Sequence, residues 1–435
     1  MKRNLFLLLV FISSFFTIPS QALVKVDVND PNYSPLPIAI TDFVSLDVLG
    51  GKFSEVIAQD LKKSGVFINI DKNAFRQKIT DPDAIPRFDN WSSLGSKLLV
   101  VGRVIKEGSN RLRVDFRLWD LAVHKQILGK KFVAHPEDWR SVAHTISDDI
   151  HQSITGDKGY FNTRILFVSE NIVSGMIKRR LCLMDQDSSN MRYLTPDSGK
   201  IIFSPRFSPN QQKIAYVSYD GDDLPKIYLM DIRTDREPKR IGNFRGIIFS
   251  PSFSPNGSSI VMSVQNEEAI DIYVVNLYSN SVSRLTNTLS NNISPSYSPN
   301  SSQIVFASDR GGDQQLYIMK SDGSGQRRIS HDKEASYFDP SWSPRGDLIA
   351  FTKYYEGKFS IGVMKSDGSK ERILVTDYNL QTPSWSPNGR YVMFSRKNIN
   401  DVDSKLYLID INGKNESLIN TPAYASDPHW VPFIN

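Results

Sequence analysis

The residues of this chain that could do chemistry are few: six histidines, one cysteine and two aspartates that recur at one position of a repeated motif. His144 and His151 stand seven residues apart in a segment with helical periodicity. At about 1.5 Å rise per residue they lie roughly 10 Å apart, too far to chelate one ion, and they read as surface side chains. His331 and His429 are isolated. Cys182, in LCLMD, has no partner for an internal disulfide and reads as a small buried hydrophobe. Asp339 and Asp427 sit at equivalent points of the repeat, two units apart. A cation could bridge such carboxylates, but the plainer reading is that Asp before Pro caps a turn, as Ser and Thr do in the other repeats. A glycosidase needs a tighter pair, and no G-x-S-x-G nucleophile elbow is present. The expectation is a protein that is not an enzyme, with no catalytic residue, no metal site and no cofactor.

The elements that position these residues come from a repeat. SPRFSPNQ (Ser204 to Gln211), SPSFSPNG, SPSYSPNS, DPSWSPRG, TPSWSPNG and DPHWVP (Asp427 to Pro432) share one pattern. Their first prolines, Pro205, Pro251, Pro295, Pro340, Pro383 and Pro428, recur every 43 to 46 residues. Ser-Pro-Asn-Gly fits a type I turn. The aromatic before it lies in a short strand bracketed by prolines, which cannot donate to a ladder, so this strand belongs at a sheet edge. A strand such as QIVFASD follows, then one such as QLYIMKSDG, whose Asp-Gly predicts a hairpin, then a weaker fourth. Four strands every 45 or so residues make one propeller blade. The earliest blade, with RILFVS (from Arg164), RLCLMD and RYLT, lacks a first strand, and DPHWVP is a spare first strand at the other end. Its pairing with Arg164–Ser169 closes a ring of six blades. The fold class is therefore a six-bladed β-propeller of four-stranded blades, closed by the C-terminal strand and preceded by a small α/β domain.

The loops that enter the first strands emerge together around the channel. They carry Ile202 and Phe203; Arg245, Ile247, Ile248 and Phe249; Asn291, Asn292 and Ile293; Tyr337 and Phe338; Leu380; and Tyr424. Apolar groups ringing a concave face suit protein docking, whereas the competing reading packs them between blades. FRGIIF (Phe244 to Phe249) is the stretch expected to be most exposed.

Before the repeats, Lys2 and Arg3 precede an apolar run (Leu5 to Ile12), and Ser20-Gln21-Ala22 supplies small residues for cleavage, so residues 1–22 read as a secretory signal. Residues 23–32 read as an extended arm with polar residues at alternate positions, 33–156 as the α/β domain and 157–435 as the propeller. Removing the signal lowers the formal net charge from +5 to +3, too little and too dispersed to argue for nucleic acid. In the α/β domain, RLRVDFRLW (Arg111 to Trp119) alternates as a half-buried strand and pairs with LLVVGRV across Glu107–Asn110. Gln126 to Val133 reads as a third strand. One helix buries Phe53, Val56, Ile57 and Leu61 and ends on Lys62-Lys63-Ser64-Gly65. A second opens at Pro136 and carries Trp139, Val142, Ala143, Ile146, Ile150 and Ile154 on one stripe. Both helices should cover one side of a mixed sheet.

With a cleaved signal, an arm, an α/β domain and six DPxWSPNG-type repeats, the whole chain resembles the TolB family of the periplasmic Tol-Pal system. TGDKGYFNTRILFVS (Thr155 to Ser169) and PIAITDF (Pro37 to Phe43) are the more specific stretches. The resemblance implies a monomer of the periplasm, peripheral to the envelope and not embedded in it. Its arm (Leu23, Val24, Lys25, Val26, Asp27, Val28 and Asn29, to Asn32) would bind TolA, and the mouth loops named above would bind the lipoprotein Pal, in support of outer-membrane integrity and constriction during cell division. The chain departs from the family pattern at Gly246-Ile247-Ile248, which replaces a histidine-containing polar segment. The reading weighed against this one is a propeller hydrolase acting on envelope polymers.

Overall fold

A computed structural model describes residues 24–433 apart from 31, 174, 220–222, 243 and 398–403, so the signal segment and Leu23 lie outside the described residues. The first domain holds a five-stranded mixed sheet built from β1 (Leu36–Ile40), β2 (Phe67–Asn69), β3 (Leu98–Lys106), β4 (Leu112–Asp120) and β5 (Lys125–Ala134), in the order β2-β1-β3-β4-β5. β1 runs parallel to both of its neighbours, and the expected hairpin pairs β3 and β4 antiparallel from Leu98↔Asp120 to Lys106↔Leu112. The helices α1 (Leu49–Lys63) and α3 (Trp139–Thr155) pack together on one face, as their apolar stripes require. Phe53, Ile57, Leu61, Ala143, Ile146, Ile150 and Ile154 are fully buried there. A short helix, α2 (Phe88–Ser92), and its flanks cover the opposite face, with Trp91 sealed against Ala39, Leu99 and Val101. A 3₁₀ turn over Pro136–Asp138 precedes α3, and Gly156 ends it in the left-handed conformation a helix C-terminus favours.

Six four-stranded sheets form the propeller. The first blade joins the strand Tyr424–Trp430 to β6 (Arg164–Val173), β7 (Met176–Asp185) and β8 (Arg192–Tyr193). Its register, Tyr424↔Glu170 to Trp430↔Ile165, closes the ring as the spare motif predicted. The second blade spans 201–240, the third 247–284, the fourth 292–328, the fifth 336–377 and the sixth 380–419. In every blade the proline-bracketed strand is an edge strand, paired on one side only. Each such strand is bulged at the residue before its first proline. Ser204, Ser250, Ser294, Asp339, Thr382 and Asp427 all take positive φ between 46° and 54°, and the ladder slips at that point in every blade. The expectation that Asp339 and Asp427 cap a turn is therefore corrected. They lie inside the strand, in the bulge, because proline offers no N–H and the ladder must break there.

The two domains share one core. Tyr160 and Phe161 of the connecting segment are fully buried with Tyr391, Met393 and Trp430 of the propeller and Phe53 and Leu61 of α1. Tyr160 packs tilted against Tyr391 at 4.6 Å and edge-to-face with Trp430 at 5.5 Å. Both partners lie at the ends of their strands nearest the Ser-Pro-Asn-Gly turns, so the first domain sits on that end of the ring, over the first and sixth blades. The other end, where the inner strands begin, is free of it.

Candidate functional site: the open end of the propeller channel

A channel of ≈ 1090 Å³ runs along the inner strands. Two rings line it, one residue before each proline (Ser204, Ser250, Ser294, Asp339, Thr382, Asp427) and one after it (Arg206, Ser252, Ser296, Ser341, Ser384, His429). The rings act as staples between neighbouring blades. The Trp342 N–H donates to Ser296 Oγ at 3.1 Å and the Trp430 N–H to Ser384 Oγ at 3.0 Å. Asp339 accepts from Ser294 Oγ at 3.2 Å, and Asp427 from the Ser204 N–H at 3.3 Å. Burial pushes both carboxyls up from their usual range, Arg206 opposing this in each. Burial, aided by the Arg206 charge, pushes His429 down to about 3, so it is neutral. The interior of the channel is thus held by hydrogen bonds that keep the blades in register.

The open end supplies the exposed surface. Of the mouth residues singled out from sequence, Arg245 and Asn291 are exposed, while Phe203, Ile247, Phe249, Ile293, Phe338 and Tyr424 are half-buried. Phe203, Ile247, Phe249 and Phe338 line the channel entrance itself. Five others are corrected: Ile202, Ile248, Asn292, Tyr337 and Leu380 are buried. Strand alternation is the reason, since the inner strands begin at these loops and every second side chain turns between blades. Ile248 joins the core between the second and third blades, and FRGIIF is accordingly part strand. Leu380 packs beneath Trp385 in the sixth blade. Tyr337 donates its hydroxyl to Glu371 at 2.8 Å. Asn292 donates to Thr288 Oγ1 at 2.9 Å and Ile270 O at 3.1 Å and accepts from Arg310 at 2.7 Å and Ser308 Oγ at 2.9 Å. These buried groups shape the rim from beneath.

Two features of the rim were missed in the sequence. The β6–β7 hairpin continues past the start of its inner strand, because Tyr424 pairs with Glu170 while β6 runs on to Val173. Ile172, Val173 and Ile177 stand exposed on it. In the fifth blade Ser336 pairs with Tyr354, and the next hairpin carries exposed Tyr354 and Tyr355. Apolar residues on both sides of Ser174-Gly175, longer than a blade strand needs, were the available signal. Lys353 anchors the fifth-blade rim, bonded to Asp332 and Glu371 at 2.9 Å each and lying 5.1 Å from the Tyr337 ring.

The arm is packed down. The Val24 N–H donates to Asp120 Oδ2 at 2.9 Å and the Val26 N–H to Ile154 O at 3.1 Å. Val26 is buried, Val24 and Val28 are half-buried, and Lys25, Asp27 and Asn29 face outward, the alternation the sequence showed. Arg390 of the sixth blade donates to Asn29 Oδ1 at 2.8 Å and pairs with Asp157.

His144 and His151 are not surface residues. Both are buried on α3, and burial pushes His151 down to about 4. Among the described residues, one group brings His and Asp ligand atoms within 4.8 Å: His144, Asp185 and Asp187. Arg140 already holds the Asp187 oxygen that faces His144, at 2.5 and 2.8 Å, which makes the group an ion-pair network between the domains. No described helix is long and apolar enough to cross a membrane.

Comparison with known proteins agrees with this architecture. Residues 151–434 match the family model described as the TolB beta propeller domain, and 24–127 match the TolB amino-terminal domain. The chain is similar to the crystal structure of TolB from Acinetobacter baumannii, at 25% identity and a TM-score of 0.80, covering 95% of this chain and 99% of that one. A putative TolB from Agrobacterium tumefaciens shares the fold at 19% identity and a TM-score of 0.50, over 61% of this chain and 91% of that one.

Proposed function

The chain belongs to the TolB family, and on that premise we propose that it is a non-catalytic docking component of the Tol-Pal system in the periplasm. The channel mouth takes the lipoprotein Pal, and the arm from Leu23 to Asn32 takes TolA, in support of outer-membrane integrity and constriction at division. One observation carries the reading. Of the two ends of the ring, one carries the first domain over its first and sixth blades and the other is an open entrance walled by Phe203, Ile247, Phe249 and Phe338 and collared by Ile172, Val173, Ile177, Tyr354 and Tyr355. Aromatic and aliphatic groups around a concavity, with an arginine at the edge, are what a protein partner anchors on.

Support for a non-catalytic role comes from Asp339 and Asp427, whose carboxylates bond neighbouring blades. Support for the arm's role comes from its shape: a short segment of alternating burial, held by two backbone donors and two side-chain bonds, that can be exchanged for a partner's edge.

The test is calorimetric titration of the mature chain with the soluble domain of Pal. Arg245→Ala combined with Phe249→Ala should weaken binding at least tenfold while the thermal unfolding curve stays in place. Unchanged affinity would sink the assignment of the mouth. Deleting residues 23–32 should abolish TolA capture, and capture by the truncated chain would overturn the role of the arm.

A further inference from the structure

We propose that His144 is a positioning residue shared by the two domains, an imidazolium charged at neutral pH that ties α1 and α3 to the turn after β7 and so sets the angle between the α/β domain and the ring.

The geometry requires the charge. His144 is 1% exposed. Its Nδ1 lies 2.7 Å from Asp60 Oδ2 on α1, and its Nε2 lies 3.5 Å from Asp187 Oδ2 in the propeller. Nδ1 donates to Asp60. A neutral ring would then aim the Nε2 lone pair at a carboxylate oxygen in a place closed to water, whereas a second proton turns that repulsion into attraction on both sides.

The carboxylates in contact with the ring point the same way. The groups around the ring are Asp60 and Lys63 from α1, Arg140 and Asp148 from α3, Asp185 at the end of β7 beside Arg164 of β6, and Asp187 from the turn. Lys63 donates to Gln186 O at 2.9 Å, Gln186 donates to Asp60 Oδ1 at 2.9 Å, and Arg140 pairs with Asp187. Burial pushes the Asp148 carboxyl up to about 7, so it is about half ionised near neutrality. Asp60 and Asp187 meet the two ring nitrogens, one each, which favours the imidazolium. Burial alone would lower the imidazole pKa, but the contacts with Asp187 and Asp60 outweigh it and hold it at about 9. A group raised in the folded state contributes fully below its ordinary value near 6.5 and is lost as pH climbs through the folded one, so the link holds through the neutral range and lets go in alkali.

Two measurements on the mature chain decide the matter. Long-range ¹H–¹⁵N spectra should show both His144 nitrogens protonated at pH 7, with a titration midpoint above 8 that falls by a unit or more in Asp187→Asn. A neutral ring at pH 7 overturns the proposal, as does a spectrum that changes on adding a chelator, because a metal and not a proton would then occupy Nε2. Spin labels at Lys62→Cys and Arg327→Cys report the domain angle. Their distance distribution should be narrow at pH 7 and broaden at least twofold above pH 9.5, and at pH 7 in His144→Gln. A distribution unmoved by pH overturns the proposal even if His144→Gln fails to fold.

Discussion

The two ends of the propeller are built from the same repeat and put to opposite uses. At the turn end, aromatic residues are removed from water altogether: Tyr160 and Phe161 are fully buried against Tyr391 and Trp430, and Tyr391 donates to Ser64 O at 2.7 Å while Trp430 Nε1 donates to Thr163 Oγ1 at 2.8 Å. At the mouth, residues of similar character are left half-buried or exposed. Tyr354 and Tyr355 stand at 40% and 38% exposure and Ile172 at 47%. The contrast puts the shared core at one end and the exposed apolar groups at the other, so, on the proposed docking role, substitutions at the two ends should fall on different observables.

The largest effect should follow from opening the ring. A chain ending at Thr421 lacks the strand that pairs with β6, exposing the edge of the first blade and the Trp430 side of the shared core. Hydrogen exchange should show both domains losing protection together. Protection kept in the other five blades would mean that the ring is a set of independent units.

Next in size is Phe161→Ala in the shared core at the turn end, expected to cost about 3–5 kcal/mol in urea unfolding. At the open end, Ile172→Ser with Ile177→Ser should change stability by only about 0.5 kcal/mol yet weaken Pal binding. Equal losses of stability at the two ends would erase the distinction drawn here.

A third prediction concerns acid. His151 is buried neutral with its pKa near 4, so the unfolded chain binds more protons below about 6.5 and stability falls as pH drops toward 4. That group contributes a loss of order 3 kcal/mol, and His151→Gln should remove it from the pH dependence of the unfolding free energy. Asp148 works in the opposite sense: burial raises it to about 7, so below neutrality the folded state holds a proton that the unfolded carboxyl releases, which stabilises the fold. Asp148→Asn should therefore steepen the acid loss.

The smallest effect belongs to Asp339→Asn. The amide still accepts from Ser294, so unfolding should shift by about 1 kcal/mol or less, with Pal binding unaltered. A large loss of binding would move the recognition surface from the rim into the channel.

Much of the fold was legible because the repeat states it locally. Proline brackets mark the inner strand, Asp-Gly marks the outer hairpin, and DPHWVP without a following strand marks the closure. The mouth was legible only to its loops. Ile248, Asn292, Tyr337 and Leu380 looked like their neighbours in sequence, but a strand sends alternate residues to opposite sides, and where the strand starts depends on its partner in the next ladder. The rim hairpins were missed for the same reason: Ile172 and Ile177 count as core until the position of Tyr424 shows that β6 outruns its neighbour. His144 and His151 were placed on the surface because periodicity locates a face without saying what is packed against it.

By itself the sequence determined the local chemistry: which segments are strands, where they turn, how many blades there are and that the first and last segments belong together. Those follow from backbone rules that each residue carries with it. Only the tertiary structure decided which end of the ring carries the first domain, which apolar side chains remain in contact with water, and that two histidines seven residues apart on one helix should hold protons so differently. Burial and the company of charges are properties of a place, and a place is made by segments distant in the chain.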